Sequence, residues 1–319
     1  MEVSIRPLAA ADLDPADHVF RLAFGTFLGL PEPLAFAGDA DYVRTRWRAD
    51  PDSAFAADVD GELAGSNFAT RWGSFGFFGP LTVHPGHWNR GVAQRLLEVT
   101  MHRFEEWSVR HAALFTFPQS TKHVGLYQKF GFWPRFLTAV MAKRLEGGAA
   151  SDVPLPSRER VAEGRVRVSG IDGVIAACRE VTDEIFPGLD VSQEIRAVAD
   201  QSLGETVLVE SGSRLDGFAV CHVGRGSEAG SGNAYLKFAA VRPGSEATAT
   251  FERLLSACET FAASNGASQL VAGVSTARHA AYRTLLGRGF RTIIQGVTMH
   301  RPNEIAYDRE DALVLDDLR

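Results

Sequence analysis

The segment from Val83 to Ala93 carries the residues whose types and order best suit the binding of a charged ligand. A strand pattern ends at Pro85, and a helical pattern opens beside Gly91 and Ala93, whose small size lets a ligand approach the backbone closely. The first turn of a helix offers unpaired N–H groups and the positive end of the helix dipole, both of which attract phosphate. Arg90 adds a charge-assisted donor. The segment therefore predicts a phosphate-binding turn, with an ordinary tight strand-to-helix turn as the alternative.

The elements that would hold this turn occur twice along the chain. Residues 81–86 (LTVHPG) recur as residues 239–244 (AAVRPG), and a Leu-Leu pair follows both copies at the same offset, at 96–97 and 254–255. Each copy continues as an amphipathic helix. Because a repeat on this scale decides the architecture, the sequence predicts one fold built twice.

Further landmarks follow each amphipathic helix in the same order: a short apolar strand, a second helix, a Gly-Phe pair and a last strand. The matched segments are 112–117 with 269–274, 131–132 with 289–290, and 132–141 with 290–299. A hairpin with an Asp-Gly turn precedes the first copy of these landmarks. Each half reads as a mixed α/β fold, with a mostly antiparallel sheet and flanking helices.

The segment between the two copies sets the domain boundaries. Its Gly, Pro and small polar residues are typical of a linker. We therefore assign residues 1–146 to a first domain, 147–164 to a linker, 165–303 to a second domain and 304–319 to a C-terminal tail. Residues 1–146 are called the first repeat below, and residues 165–303 the second repeat.

The composition of the 319 residues excludes several classes of protein. Apolar residues make up 45% and charged residues 23%, which are ordinary globular values and exclude disordered or collagen-like chains. The formal net charge of −6 argues against nucleic acid as a partner. No apolar run is long enough to span a bilayer, and the first residues lack a signal-peptide pattern. We expect a cytoplasmic protein, monomeric or homodimeric, without a membrane partner. Its three cysteines lack a CxxC spacing and indicate neither disulfides nor structural zinc.

The first repeat resembles the Gcn5-related N-acetyltransferase (GNAT) superfamily over roughly residues 3–145. The landmarks of the resemblance are, in order, Val83 and Pro85 at a strand end, Gly91 and Ala93 at a helix start, and Tyr127 shortly before Gly131-Phe132. One position departs from the family pattern, because Trp88 stands where Gln or Arg is usual. The resemblance implies two tandem acyl-CoA N-acyltransferase domains, of which the second is degenerate.

The resemblance also implies a cleft for an acyl-CoA, most simply acetyl-CoA, and no metal. Pantetheine would pair with the backbone of Leu81 and Val83, and pyrophosphate would bind the amides of residues 89–93. Ser120 and Lys122 would touch the pantetheine arm or the 3′-phosphate. The implied cofactor-binding residues are Leu81, Val83, Trp88, Asn89, Arg90, Gly91, Val92, Ala93, Ser120 and Lys122.

Transfer in this family is direct: an amine attacks the thioester, a backbone N–H stabilises the oxyanion, and an acid protonates the departing thiolate. Tyr127 matches the family's acid position, and a phenol of pKa about 10 can protonate a thiolate of pKa about 8.5. The alternative is a core tyrosine with a hydrogen-bonded hydroxyl. No Asp or Glu lies between Arg71 and Gln94, so His84 and His87 are the titratable groups at the strand end. Their HxxH spacing has no third metal ligand nearby.

The second repeat keeps the pattern and loses these residues. Aligned on Val83 and Val241, Gly91 becomes Ala249 and Ala93 becomes Phe251, which we expect to crowd the loop. Glu246 would repel phosphate there, and Leu285 stands in place of Tyr127. We predict a second repeat without productive acyl-CoA binding that shapes the acceptor pocket instead.

The acidic tail is a further candidate. We hypothesise that residues 308–319 reach the first cleft and supply a carboxylate for the acceptor, with Asp39 or Asp41 as helpers; the alternative is a solvated terminus. Together these features predict an acyltransferase of the N-acetyltransferase type that acts on a small-molecule or peptide amine. The alternative function is a non-catalytic acyl-CoA sensor.

Overall fold

The computed structural model describes residues 2–145 and 170–319, so the predicted linker at 147–164 lies outside the described residues. The helices are α1 (Leu13–Phe27), α2 (Val43–Ala49), α3 (Val92–Glu106), α4 (Thr121–Gln128), α5 (Ile171–Ile185), α6 (Ser192–Asp200), α7 (Ala247–Ser264) and α8 (His279–Gly287). The strands are β1 (Val3–Pro7), β2 (Ala54–Val59), β3 (Glu62–Trp72), β4 (Phe75–Phe78), β5 (Thr82–Val83), β6 (His111–Thr116), β7 (Trp133–Arg144), β8 (Gly204–Ser211), β9 (Arg214–Gly224), β10 (Gly230–Val241), β11 (Gln269–Ser275), β12 (Arg291–Arg301) and β13 (Val314–Leu315).

These elements confirm the mixed α/β fold and the order of landmarks in both halves. The predicted strands at 112–117 and 132–141 correspond to β6 and β7, with ends shifted by one to three residues. The hairpin of β2 and β3 turns at Asp60-Gly61 as predicted. Side-chain periodicity in the sequence was therefore sufficient to predict these strands and their turn.

The order of strands in the sheet was not predicted. Within the described residues the main path runs β1-β2-β3-β4-β6-β12-β7-β11-β10-β9-β8. Strand β12 of the second repeat lies between β6 and β7 of the first, with Met299 opposite Leu114. Strand β7 in turn lies between β12 and β11, with Met141 opposite Ala272. The two repeats thus exchange their last strands, β7 and β12, and one continuous sheet contains strands of both repeats.

Helices cover both faces of this sheet. In β2, Ala54 and Ala56 face the cluster of α1 and α2, whereas the intervening Phe55 faces the cluster of α3. Residues 138–142 of β7 are buried without alternation because the middle of the sheet is covered on both sides.

The two repeats also share a hydrophobic core. Trp72 of the first repeat packs edge-on against Phe238 of the second, with ring centroids 5.3 Å apart. The same buried cluster contains Ile175 of α5 and Tyr307 of the tail. The repeats are therefore joined by side-chain packing as well as by strand pairing.

Candidate active site

In the described residues, one edge of β5 has no partner strand, and the space along this edge is called the groove below. Strand β4 pairs in parallel with β6 as far as Phe77 and Ala113. The strand is then interrupted: Gly79 has a φ of 147°, which favours glycine, and Pro80 has no N–H to donate. Within the described residues β5 pairs with β3 alone. The edge of β5 that faces β6 is therefore open to an extended ligand.

Leu81 and Val83 point their main-chain groups toward this groove. A strand presents its hydrogen-bonding groups to alternate edges, and the His84 N–H donates to the Ala64 carbonyl on the β3 side at 2.7 Å. Val83 and Leu81 therefore face the opposite edge. The indole Nε1 of Trp88 donates to the Val83 carbonyl oxygen at 2.7 Å. Trp88 is thus fixed against the groove.

Asn89 and Gly91 shape the loop at one end of the groove. Both adopt left-handed conformations, with φ of 64° and 82°. Gly91 is the N-cap of α3, and its carbonyl accepts the first helical hydrogen bond, from Arg95, at 3.2 Å. The N–H groups of Val92 and Ala93 precede that bond, and glycine has no side chain to cap them. They form a donor site at the positive end of the helix dipole.

Lys122 and Trp88 meet beside this loop. The Lys122 Nζ lies 5.4 Å from the centroid of the Trp88 ring, a cation–π contact. Arg90 is exposed in the loop itself. Ser120 is the N-cap of α4, where its hydroxyl accepts the His123 N–H at 3.4 Å. The fold gathers Trp88, Arg90 and Lys122 at one end of the groove and gives Ser120 a capping role.

Tyr127 lies beside the break in β4. Its side chain is buried, and its ring centroid is 5.8 Å from that of Phe78, the residue before Gly79. The N–H groups of Phe130 and Phe132 donate to its carbonyl at 3.0 and 3.2 Å and fix the end of α4. Burial raises the pKa of the Tyr127 phenol above its ordinary value. The hydroxyl therefore keeps its proton and can donate it.

His84 and His87 form the turn after β5. The Nδ1 of His84 accepts the Gly86 N–H at 3.1 Å, and the two imidazole centroids are 5.8 Å apart. Burial, followed by the influence of His87 and His18, lowers the pKa of His84. Because Nδ1 accepts the hydrogen bond from Gly86, Nε2 carries the proton of the neutral imidazole and is a donor. In the described ranges no group of three His, Cys, Asp or Glu side chains could hold a metal ion.

Asp39 and Asp41 form hydrogen bonds that hold the loop between α1 and α2 in place. Asp39 accepts hydrogen bonds from the N–H and hydroxyl of Ser231, at 2.8 and 2.5 Å. Asp41 accepts the Arg44 N–H at 2.9 Å, and its own N–H donates to the Ser227 carbonyl at 2.9 Å. The turn between β9 and β10 thus fastens this loop of the first repeat. Both carboxylates have structural partners here.

The tail docks, as its apolar residues suggested, mostly against the second repeat, and its last residue contacts Arg46 of the first. Strand β13 pairs antiparallel with Ala239 and Ala240 of β10. Arg278 forms ion pairs with Asp308 and Asp316, at 2.7 and 2.8 Å. These two carboxylates, which were hypothesised to reach the first cleft, are buried in the second repeat instead.

Strand β13 also fills the second repeat's counterpart of the groove. Ala239 and Ala240 correspond to Leu81 and Thr82, and the edge that is open in the first repeat is paired here with the tail. Leu285, in the place of Tyr127, is fully buried. The polypeptide itself occupies the position where the first repeat leaves room for a ligand.

The loop of the second repeat differs from the prediction. Helix α7 begins at Ala247, so Ala249, the counterpart of Gly91, is already helical, and the positive φ in the loop before this helix is at Gly244, with 146°. Phe251 is fully buried in the core, so it does not crowd the loop as expected. Glu246 is exposed at the N-cap of α7.

Sequence reasoning missed a buried cluster next to the groove, formed by Arg46, Glu228 and Lys237. The Arg46 guanidinium donates to the Gly79 carbonyl at 2.6 Å. Lys237 stands in an otherwise apolar strand, and a lone lysine in such a run indicates a buried partner. Arg46 gave no such signal, because α2 also carries Arg44 and Arg48.

None of the helices in the ranges 2–145 and 170–319 is long and apolar enough to cross a bilayer.

Residues 21–132 match the model of the acetyltransferase (GNAT) family. Among curated proteins, none matches the chain.

Solved structures are similar over nearly the whole chain. A "putative acetyltransferase" from Pyrococcus horikoshii has a TM-score of 0.66 at 15% identity, with 98% of this chain and 93% of that one covered. A GCN5-related N-acetyltransferase from Sphaerobacter thermophilus has a TM-score of 0.52 at 19% identity, with 93% and 95% covered. At these identities the likeness shows the fold alone, and it includes both repeats.

Proposed function

We propose that the first repeat, whose residues 21–132 match the acetyltransferase (GNAT) family model, transfers the acyl group of an acyl-CoA, most simply acetyl-CoA, to an amine. The observation that carries this proposal is the open edge of β5, which runs from the left-handed turn at Gly91 toward the buried Tyr127. A donor-rich turn, an open strand edge and a protonated phenol are the three features that binding and cleaving a thioester of CoA require.

The pantetheine arm would lie along β5 as an additional strand. It is an extended chain with amide groups, and the main-chain groups of Leu81 and Val83 that face the groove can pair with it. The Val83 carbonyl already accepts from Trp88, so the arm would use the Val83 N–H and the Leu81 carbonyl, and the Leu81 N–H would remain available to the acyl group. The pyrophosphate would bind the amides of residues 89–93, with Lys122 and Arg90 supplying positive charge.

The acyl group would then lie at the break in β4, where the transfer occurs. The amine nitrogen attacks the thioester carbonyl carbon, and the Leu81 N–H, the first groove-facing amide after the break, donates to the oxyanion. The C–S bond breaks, and the thiolate takes the proton of the Tyr127 hydroxyl. The proton that the amine releases passes to solvent, from which Tyr127 is protonated again.

In this proposal the second repeat binds no acyl-CoA, because β13 fills its groove. The acceptor is a small-molecule or peptide amine, held near the loop of residues 29–41, and the protein is a cytoplasmic monomer or homodimer. The division into domains at 146, 164 and 303 is part of the same proposal.

Calorimetry with acetyl-CoA on the full chain, followed by turnover with a panel of amines, tests this function. We expect one acetyl-CoA per chain and CoA release with at least one amine. Binding without turnover across small amines, polyamines, amino acids and peptide N-termini would favour the acyl-CoA sensor. Absence of binding would refute the cleft.

A further inference from the structure

We propose that Arg46 is a positioning residue for the acyl-transfer step and that Glu228 and Lys237 of the second repeat hold it in place. This inference rests on the proposed acyltransferase function. It gives the second repeat, whose own groove is filled, a role in the chemistry of the first.

The residue that Arg46 controls is Gly79. Glycine is the most permissive residue in backbone conformation, so its position depends on what its N–H and carbonyl contact. The Gly79 N–H donates to the Phe68 carbonyl of β3 at 2.9 Å, and its carbonyl accepts from the Arg46 Nη1 at 2.6 Å. These two bonds define the path of the chain into Pro80 and Leu81. The direction of the Leu81 N–H therefore depends on Arg46.

Glu228 orients Arg46 from the second repeat. Its Oε1 and Oε2 accept from the Arg46 Nε and Nη2 at 2.8 and 3.0 Å, a planar two-point contact that a guanidinium can make and an ammonium cannot. Both side chains are less than a tenth exposed, at 7% and 2%. Through Arg46, this contact links the second repeat to the break in β4.

Lys237 completes the charge balance around Glu228. Its Nζ donates to both Glu228 oxygens, at 2.9 and 2.7 Å. Burial alone would raise the pKa of Glu228, but Arg46 and Lys237 outweigh it and hold that pKa well below its ordinary value. Glu228 is therefore ionised at neutral pH. A buried ion pair of this kind adds little net stability but specifies geometry well, as a positioning role requires.

The tail contributes the last contact of this cluster. The Arg46 Nη2 also donates to the main-chain oxygen of Arg319. Asp317 holds this end of the tail, because it pairs with the Arg319 Nε at 2.9 Å and accepts the Tyr235 hydroxyl at 2.9 Å. Arg46 is thus bound from β4, from the turn after β9 and from the tail. Its guanidinium has one position that satisfies all three.

The test uses Arg46→Lys, which keeps the charge but cannot reach all of these acceptors, and Glu228→Gln. The probe is carbon-13-labelled acetyl-CoA, whose carbonyl stretching frequency falls when an N–H donor polarises the bound thioester. We expect both variants to bind acetyl-CoA within about threefold of the unchanged protein. We expect the frequency shift to be lost in Arg46→Lys and reduced in Glu228→Gln. With an active amine, kcat should fall about tenfold to a hundredfold at a nearly constant KM for acetyl-CoA.

Arg242→Lys is the matched control. Arg242 is also buried, bonds the Leu215 carbonyl at 2.7 Å and pairs with Glu180 and Glu184, but it contacts neither Gly79 nor the first repeat's groove. A frequency shift that survives in Arg46→Lys, or that is lost equally in Arg242→Lys, would overturn the inference. If Arg46→Lys fails to fold, as thermal unfolding would reveal, Glu228→Gln decides. Failure of the unchanged protein to bind acetyl-CoA would instead refute the proposed function.

Discussion

The indole Nε1 of Trp88 donates a hydrogen bond to the carbonyl oxygen of Val83 at 2.7 Å. This bond crosses the entrance of the groove and sets one face of the Trp88 ring against the Lys122 ammonium. The family resemblance implies Gln or Arg at this position, whereas Trp88 supplies a ring that is itself anchored to the strand. Trp88 links the proposed pantetheine and phosphate subsites.

Trp88→Phe keeps an aromatic ring but removes the donor. We expect the KM for acetyl-CoA to rise a few-fold, since a single neutral hydrogen bond contributes about 1 kcal/mol. Trp88→Ala should raise it by about tenfold or more, because the cation–π contact with Lys122 is lost as well. Steady-state kinetics with varied acetyl-CoA measures both. Equal values for the two variants would show that the ring is irrelevant.

Tyr127→Phe should lower kcat by about a hundredfold or more, the usual contribution of a general acid, while acetyl-CoA affinity is unchanged. Burial raises the pKa of Tyr127, so its ionisation should not reduce kcat below about pH 10 in the unchanged protein. Tyr282→Phe, on α8 of the second repeat, is the control and should retain full turnover. Full turnover of Tyr127→Phe would remove Tyr127 from the mechanism.

His111 should make the stability of the fold pH-dependent. It lies on β6, its Nε2 is 2.8 Å from the Nδ1 of His300 on β12, and His300 faces Asp308. Burial, and then His300, lower the pKa of His111 from 6.5 to about 3. At pH values between these two pKa values, the His111 imidazole is protonated in the unfolded chain but neutral in the folded chain. The free energy of unfolding should therefore fall as the pH decreases through this window, by up to ~1.4 kcal/mol per pH unit.

Denaturant unfolding at several pH values, on His111→Phe and on the control His102→Gln, measures this effect. His102 is exposed on α3, with 72% of its side chain accessible. We expect a shallower pH dependence in His111→Phe and an unchanged one in His102→Gln. If the free energy of unfolding changed equally with pH in both variants, the contact between His111 and His300 would not be what keeps His111 unprotonated.

Docking of the tail predicts a large cost for Leu315→Ala. Leu315 is fully buried in the core beneath α7, and a Leu-to-Ala change in a core costs about 2–5 kcal/mol in the free energy of unfolding. Ile305→Ala, at a position 43% exposed in the same tail, should cost about 0.5 kcal/mol or less. Denaturant titration compares the two. Similar small costs would contradict a tail that fills the second groove.

The sequence predicted the parts of this molecule that depend on local order. The turn between Val83 and Ala93 was found because a strand end, a glycine and a helix start lie within eleven residues, whereas the left-handed conformation of Gly91 was not predicted. Residues 132–141 and 290–299 were recognised as strands. Their exchange was not, because both are apolar strands of the same length and either pattern fits beside β6.

The remaining misses concern partners that are distant in the chain. Arg46 and Glu228 are 182 residues apart, and no local pattern pairs them. The apolar residues of the tail predicted that it docks. They did not predict its partner strand, β10, which lies about 75 residues upstream, because nothing in the sequence shows that one edge of β10 is free for pairing. Phe251 was expected at a ligand loop because α7 was assumed to begin where α3 does.

Acetyl-CoA affinity and stoichiometry in Gly91→Glu and Ala249→Glu test the central claim most directly. The two positions correspond in the two repeats and both are exposed. A carboxylate at the left-handed turn would repel pyrophosphate and strain the backbone, whereas the same carboxylate on α7 faces a groove that the tail already fills. Calorimetry should show one site per chain in the unchanged protein, that site lost or weakened about a hundredfold or more in Gly91→Glu, and unaltered binding in Ala249→Glu. Unaltered binding in Gly91→Glu, or loss of binding in Ala249→Glu, would contradict the account.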